Sequence, residues 1–186
     1  MSLYKAEGVR EKMNVDVDLK KCVACAACSV ACMDQNDTDI PGGEKPLRII
    51  GSLELEKTDK SHLFLWFSKA CMHCEHCVPM EKCPGKCFHR EPDTGLVILD
   101  PSNCVGCALC VRVCPFEAIT AFDKDKKMHK CNGCVERVRA GREPACVRSC
   151  PKGAILFSET ETLPEDLSLK NHPELLSLKQ GEEEEE

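Results

Sequence analysis

The side chains with the most chemistry in this chain are its cysteines, 17 of 186 residues. Cys104, Cys107, Cys110 and Cys114 stand at C-x2-C-x2-C-x3-C, and Pro115 follows the last. Such a run holds a [4Fe–4S] cluster, with its fourth cysteine ligating the other cluster of a pair. One run therefore requires a second. Cys22, Cys25, Cys28 and Cys32 repeat the spacing, with Met33 in place of the proline. Cys131, Cys134, Cys146 and Cys150 form a stretched version, C-x2-C-x11-C-x3-C, closed by Pro151. The remaining group, Cys71, Cys74, Cys77, Cys83 and Cys87, is irregular. This internal repetition is the main organisational fact, and the order implies nesting: first group with fourth, second with third.

Zinc is the plainer use of many thiols. Structural zinc sites close at four ligands. The fourth group alone could form one, but C-x2-C-x2-C triplets are too dense for separate zinc sites, and C-P endings have no zinc rationale. Disulfides are the other use. Met1 to Lys20 has neither an apolar signal core nor twin arginines, so the sequence reads as cytoplasmic, where thiols stay reduced. No apolar run approaches membrane length, so no membrane anchor is expected. Net charge is −6 before any metal is bound. Each loaded cluster adds roughly −2, because bound thiols are deprotonated, so four would bring the chain to about −14. Nucleic acid and anionic membrane surfaces are poor partners for such a chain.

Nothing else signals catalysis. There is no G-x-G-x-x-G or Walker loop. His73, His76, His89 and His129 lie near cysteines and could be bases or ligands, but each is more simply a surface polar residue. Lys21, Arg112, Lys130, Arg137, Arg148 and Lys152 also lie near cysteines and could offset cluster charge.

The positioning elements must be small, since aromatics are 4% of residues and a generous core is out of reach. Asn14 to Leu19 alternates apolar and polar and predicts a strand. Cys28 and Cys32 are one helical turn apart. Asp34 to Gly43 reads as a loop. Leu47 to Glu56 and His62 to Phe67 predict two strands around a turn at Lys57 to Ser61. Leu96 to Leu99 predicts a strand. Ala118 to Phe122 and Lys127 to His129 predict a hairpin around Asp123 to Lys126. Val135 to Ala140 reads as helical, and Gly153 to Phe157 as a strand. Beyond Ser158, Leu163, Leu167, Leu169, Leu175, Leu176 and Leu178 lie in polar sequence, and Glu182 to Glu186 is an acidic run. This segment reads as an arm that wraps the domain or lies on a partner, with a disordered end. Met1 to Lys12 reads as a second arm.

The cysteine order, the C-M-H-C at Cys71 to Cys74, the two C-P pairs and the split last group resemble the four-cluster ferredoxin-type subunits of molybdenum and tungsten oxidoreductases. Formate dehydrogenase, nitrate reductase, dimethyl sulfoxide reductase and hydrogenase complexes contain such subunits. The resemblance covers about Cys22 to Phe157. It implies an α+β fold of two pseudo-symmetric ferredoxin-like double-cluster modules, residues 13–70 with 127–157 and residues 71–126, in a domain of residues 1–157 followed by the arm 158–186. It implies that Cys22, Cys25, Cys28 and Cys150 hold one cluster, and Cys131, Cys134, Cys146 and Cys32 a second. Cys104, Cys107, Cys110 and Cys83 then hold a third, and Cys71, Cys74, Cys77 and Cys114 a fourth.

The second group departs from that family's C-x2-C-x4-C-x3-C-P, which would place a cysteine at Pro79. Cys77 is the nearer substitute. The rival takes Cys83 as third and Cys87 as fourth ligand, and a third outcome is a lost or three-iron site. The function implied is a relay of single electrons between a catalytic subunit carrying tungsten or molybdenum and an external donor, acceptor or further redox subunit such as a ferredoxin. Small cytoplasmic subunits beside tungsten aldehyde-oxidoreductase-type enzymes of anaerobes, the benzoyl-CoA reductase type among them, are similar in length and cluster set. The alternative is a free-standing polyferredoxin.

Overall fold

In a computed structural model, the chain is described over residues 13–56, 60–159, 161–173 and 175. The expected N-terminal arm, most of the turn at Lys57 to Ser61, Leu176, Leu178 and the acidic run lie outside those residues.

Each cysteine group bends the backbone in the same way. In the four C-x2-C loops the residue before the second cysteine is left-handed: Ala24 at φ 53°, His73 at 46°, Gly106 at 70° and Gly133 at 68°. That kink swings a backbone N–H back onto the first sulfur: His73 N is 3.4 Å from Cys71 Sγ, and Gly133 N is 3.3 Å from Cys131 Sγ. At the other end of three runs, proline pushes the preceding cysteine out of the helical region. Cys83, Cys114 and Cys150 accordingly cap their helices with ψ of 117°, 115° and 107°. Three residues after each, Lys86, Glu117 and Gly153 have positive φ and start the exit. Where Met33 replaces proline the helix runs on, so α1 (Ala27–Gln35) has nine residues, while α2 (Val78–Lys82), α3 (Leu109–Val113), α4 (Val135–Arg139) and α5 (Ala145–Ser149) have five each.

Eight strands pair antiparallel among the described residues, two by two. β1 (Asn14–Val17) pairs with β8 (Ile155–Ser158), joining the two ends of the cysteine-bearing segment. β2 (Ile49–Glu56) and β3 (His62–Lys69) form the longest hairpin. There Gly51 faces Phe67, where an added Cβ would come within 2.3 Å of the ring. β4 (Phe88–Arg90) pairs with β5 (Val97–Leu99), and β6 (Ile119–Ala121) with β7 (Met128–Lys130). The chain is thus α+β, made of short helices and short strands. Helices α2, α3 and α5 and strand β4 were not anticipated; with five residues or three each, they are too short to show a periodicity.

Helix α1 packs on α5, and α2 on α3. Cysteines are themselves core residues: Cys28 and Cys146 pack with Val17, Phe67, Met72 and Leu169, while Cys77, Cys87 and Cys110 pack with Phe88, Val97 and Met128. After β8 the chain folds back over β1. Leu19 N donates to Leu167 O at 2.9 Å, Lys170 N to Asp16 Oδ1 at 3.0 Å, and Ser168 Oγ to Asp16. Leu169 is fully buried.

Candidate metal centres

All 17 cysteines are unpaired, so disulfides do not hold this fold. The packing of α1 on α5 gathers Cys22, Cys25, Cys28 and Cys150 around one cavity. Cys32, Cys131, Cys134 and Cys146 surround a second. A third is lined by Cys83, Cys87, Cys104, Cys107 and Cys110. Their volumes, open mouths included, are about 350, 400 and 340 Å³. The fourth set is drawn together where α2 meets α3: Cys74 feels the charges of Cys71, Cys77 and Cys114, and Cys77 those of Cys71 and Cys114.

These sets suit iron–sulfur clusters on the chemistry of their donors. No carboxylate lines any of the three cavities, and soft sulfur ligands select zinc, copper(I) or iron–sulfur. Among the described residues no three His, Cys, Asp or Glu side chains close around a single ion. Thiols spread around a cavity fit a polynuclear group better than one metal. Backbone N–H groups aim at sulfur in each half of the chain, as in Ala154 N to Cys150 Sγ at 3.2 Å, and such bonds favour the thiolate.

In the metal-free chain burial has the opposite effect. It pushes the Cys32 thiol up to about 12, with Cys131, Cys146 and Cys134 adding to the shift and Arg48 opposing it. Cys110 is raised to about 11, again chiefly by burial. Metal must therefore displace protons from these sites when it binds.

The irregular group resolves into two places. Cys77, at the start of α2, stands with Cys71, Cys74 and Cys114. Cys83 stands instead with Cys104 and Cys110. Cys87 is the surprise: it is a fifth thiol at the third cavity, with Cys83 and Cys104 as sulfur neighbours. Burial raises the Cys83 thiol, but the N–H groups of Cys87, Gly85 and Lys86 and the Cys87 thiol outweigh it, so the net shift is downward. Cys87 is raised by burial first and then by its two sulfur neighbours.

Of the basic residues flagged by the sequence, Lys130 is buried and donates to Val97 O at 2.5 Å and Cys131 O at 2.8 Å. Arg137 reaches Gln35 and Glu143, and Lys21 pairs with Asp18. His89 and His129 pair with Glu91 and Asp125, whereas His73 is fully buried, with its pKa held well below the usual value by burial and by Lys130, Arg90 and Arg48. Sequence reasoning missed Arg48. It is 2% exposed and carries a raised pKa: burial opposes its charge, but the thiols Cys146, Cys131, Cys28 and Cys32 outweigh that. The available signal was an arginine set in Pro46-Leu47-Arg48-Ile49-Ile50, at the foot of an apolar strand.

The family model described as the 4Fe-4S dicluster domain matches residues 62–160, just over half the chain. The chain belongs to this dicluster family. Among curated proteins it is 32% identical to the iron-sulfur subunit of formate dehydrogenase-O of Escherichia coli strain K12, over 86% of this chain and 57% of that one. It is 32% identical to the iron-sulfur subunit of the nitrate-inducible formate dehydrogenase of the same organism, over 87% and 58%. It is 33% identical to Protein NrfC of that organism, over 87% and 70%. The chain thus spans less than three-fifths of the formate dehydrogenase subunits it matches. As a dicluster-family protein with this cysteine pattern, it binds several [4Fe–4S] clusters. No helix among the described residues is long and apolar enough to cross a membrane.

Proposed function

We propose that the chain is an electron-transfer subunit that relays single electrons through four [4Fe–4S] clusters, between a catalytic oxidoreductase subunit and an external donor or acceptor. The observation that carries this reading is the arrangement of the sulfur sets. Sets one and three each include an exposed thiol, Cys25 and Cys107, while no cysteine of the other two sets is exposed. Neighbouring charges run from set to set: Arg48 feels both Cys28 and Cys146, and Cys131 feels Cys71. Cys114 packs in both cysteine-bearing cores. An order of first, second, fourth, third follows, with two open ends and a covered middle. A bound [4Fe–4S] cluster supplies one-electron exchange without bond rearrangement.

Cys22, Cys25, Cys28 and Cys150 would hold the first cluster, and Cys32, Cys131, Cys134 and Cys146 the second. Cys83, Cys104, Cys107 and Cys110 would hold the third, and Cys71, Cys74, Cys77 and Cys114 the fourth. Two double-cluster modules, 13–70 with 127–157 and 71–126, follow from that exchange of ligands. Two relatives are named as formate dehydrogenase subunits, which favours a partner whose catalytic centre carries molybdenum or tungsten.

Purification of the native complex with metal analysis tests the reading. The expected result is co-purification with a larger subunit containing tungsten or molybdenum, and about sixteen irons on this chain. A lone chain on size exclusion would overturn the subunit role and leave a free polyferredoxin; about twelve irons would reduce the relay to three clusters.

A further inference from the structure

Among the described residues, the buried side-chain nitrogens or oxygens left without a hydrogen-bond partner are Arg48 Nε and His73 Nε2. Both residues line the same cavity, the second. Buried polar groups are nearly always paired, so each orphan calls for its missing partner. The four thiols are the sulfur acceptors of that cavity, and no carboxylate stands there.

The two donors are fixed from behind. His73 Nδ1 accepts the Val97 N–H at 3.1 Å. A backbone N–H can only donate, so the imidazole proton is on Nε2, which is then a donor. Arg48 Nη1 donates to Ser68 Oγ at 2.8 Å, and Ser29 Oγ donates to Arg48 O at 2.7 Å. Ser68 Oγ is in turn 3.2 Å from Cys28 Sγ, a thiol of the first cavity. A sulfur that holds iron has no proton, so in the loaded protein Ser68 must be the donor and Cys28 the acceptor. One buried arginine thus addresses two neighbouring sites, the second through Nε and the first through Ser68.

We propose that Arg48 and His73 are positioning residues that donate to the sulfur at the second site, and that Arg48, acting through Ser68, also polarises Cys28 at the first. The inference rests on the cluster assignment proposed above. Hydrogen bonds and positive charge next to a cluster favour its more negative, reduced state and raise its potential. The third cavity has no Arg, Lys or His in its lining, so the device serves the first and second sites rather than the whole relay.

The test is an EPR-monitored redox titration of the full chain in its complex, with iron counted in every sample. His73→Phe is expected to move one couple to more negative potential. Ser68→Ala is expected to move a different one, and Arg48→Met both, each with iron content unchanged. Iron-complete variants with all couples at wild-type values would overturn the proposal. So would His73→Phe and Ser68→Ala moving the same couple, or either one losing iron instead of shifting a couple, which would make the residue merely structural. If Arg48→Met fails to fold, the other two variants decide. Wild-type protein lacking clusters would instead count against the assignment, and the iron count separates the two failures.

Discussion

Cys77 and Cys87 differ by ten positions and by their company. Cys77 stands with Cys71 and Cys114, while Cys87 stands behind Cys83 and Cys104. If Cys77 is a ligand, as proposed, replacing it with Ser should cost one cluster, read as a loss of up to about four irons per chain. Cys87→Ser should leave the iron count and the EPR spectrum of the reduced protein unchanged. Loss of a cluster from Cys87→Ser with Cys77→Ser intact would reverse the two roles. Cys83 belongs with the C-P cysteines on independent grounds, because Lys86 has the same positive φ three residues on that Glu117 and Gly153 have after Cys114 and Cys150.

At the scale of elements, one buried carboxylate and one buried leucine anchor the segment after β8, beside the backbone bond from Leu19 to Leu167. Asp16, buried in β1, accepts from Ser168 and Lys170. Leu169 is fully buried against Val17 and Ile155. Leu169→Ala should cost about 2–5 kcal/mol, the range for a buried leucine. It should lower the thermal midpoint of the loaded protein by roughly 5 °C or more and open the segment beyond Ser158 to limited proteolysis. An unchanged midpoint would mean that the segment is not part of the folded unit. The helices also depend on packing. They are five to nine residues long, too short to be stable alone, and proline sets the ends of three of them.

At the scale of the molecule, cysteines sit in both larger cores, at positions where another protein of this size would place leucine or phenylalanine. Their thiols are gathered from residues as far apart as Cys22 and Cys150. Iron that binds four of them ties together segments that are otherwise joined by a two-stranded ladder and the packing of one short helix on another. Folding and metal loading should therefore be one transition. Removing iron with a chelator under anaerobic conditions should abolish most of the far-ultraviolet circular dichroism and protease resistance. Native-like signals after complete iron removal would contradict this.

The chemistry was legible in the chain itself, because cluster ligation is a matter of residue type at fixed short spacing. C-x2-C-x2-C-x3-C names its cofactor locally, and proline after cysteine names the helix ends. The hairpin at 119–130 and the ladder strands were legible for the same local reason, alternation and turn residues. What the tertiary structure alone decided is what depends on distance in space. It placed Cys77 with Cys71 and Cys114 and Cys87 beside Cys83, an arrangement that spacing could not give once the family's regular interval was broken. It laid Leu169 on β1, which a scatter of leucines in polar sequence could not announce. It also buried Arg48 and His73 at one cavity, since whether an arginine beside an apolar strand faces water or sulfur depends on what packs over it.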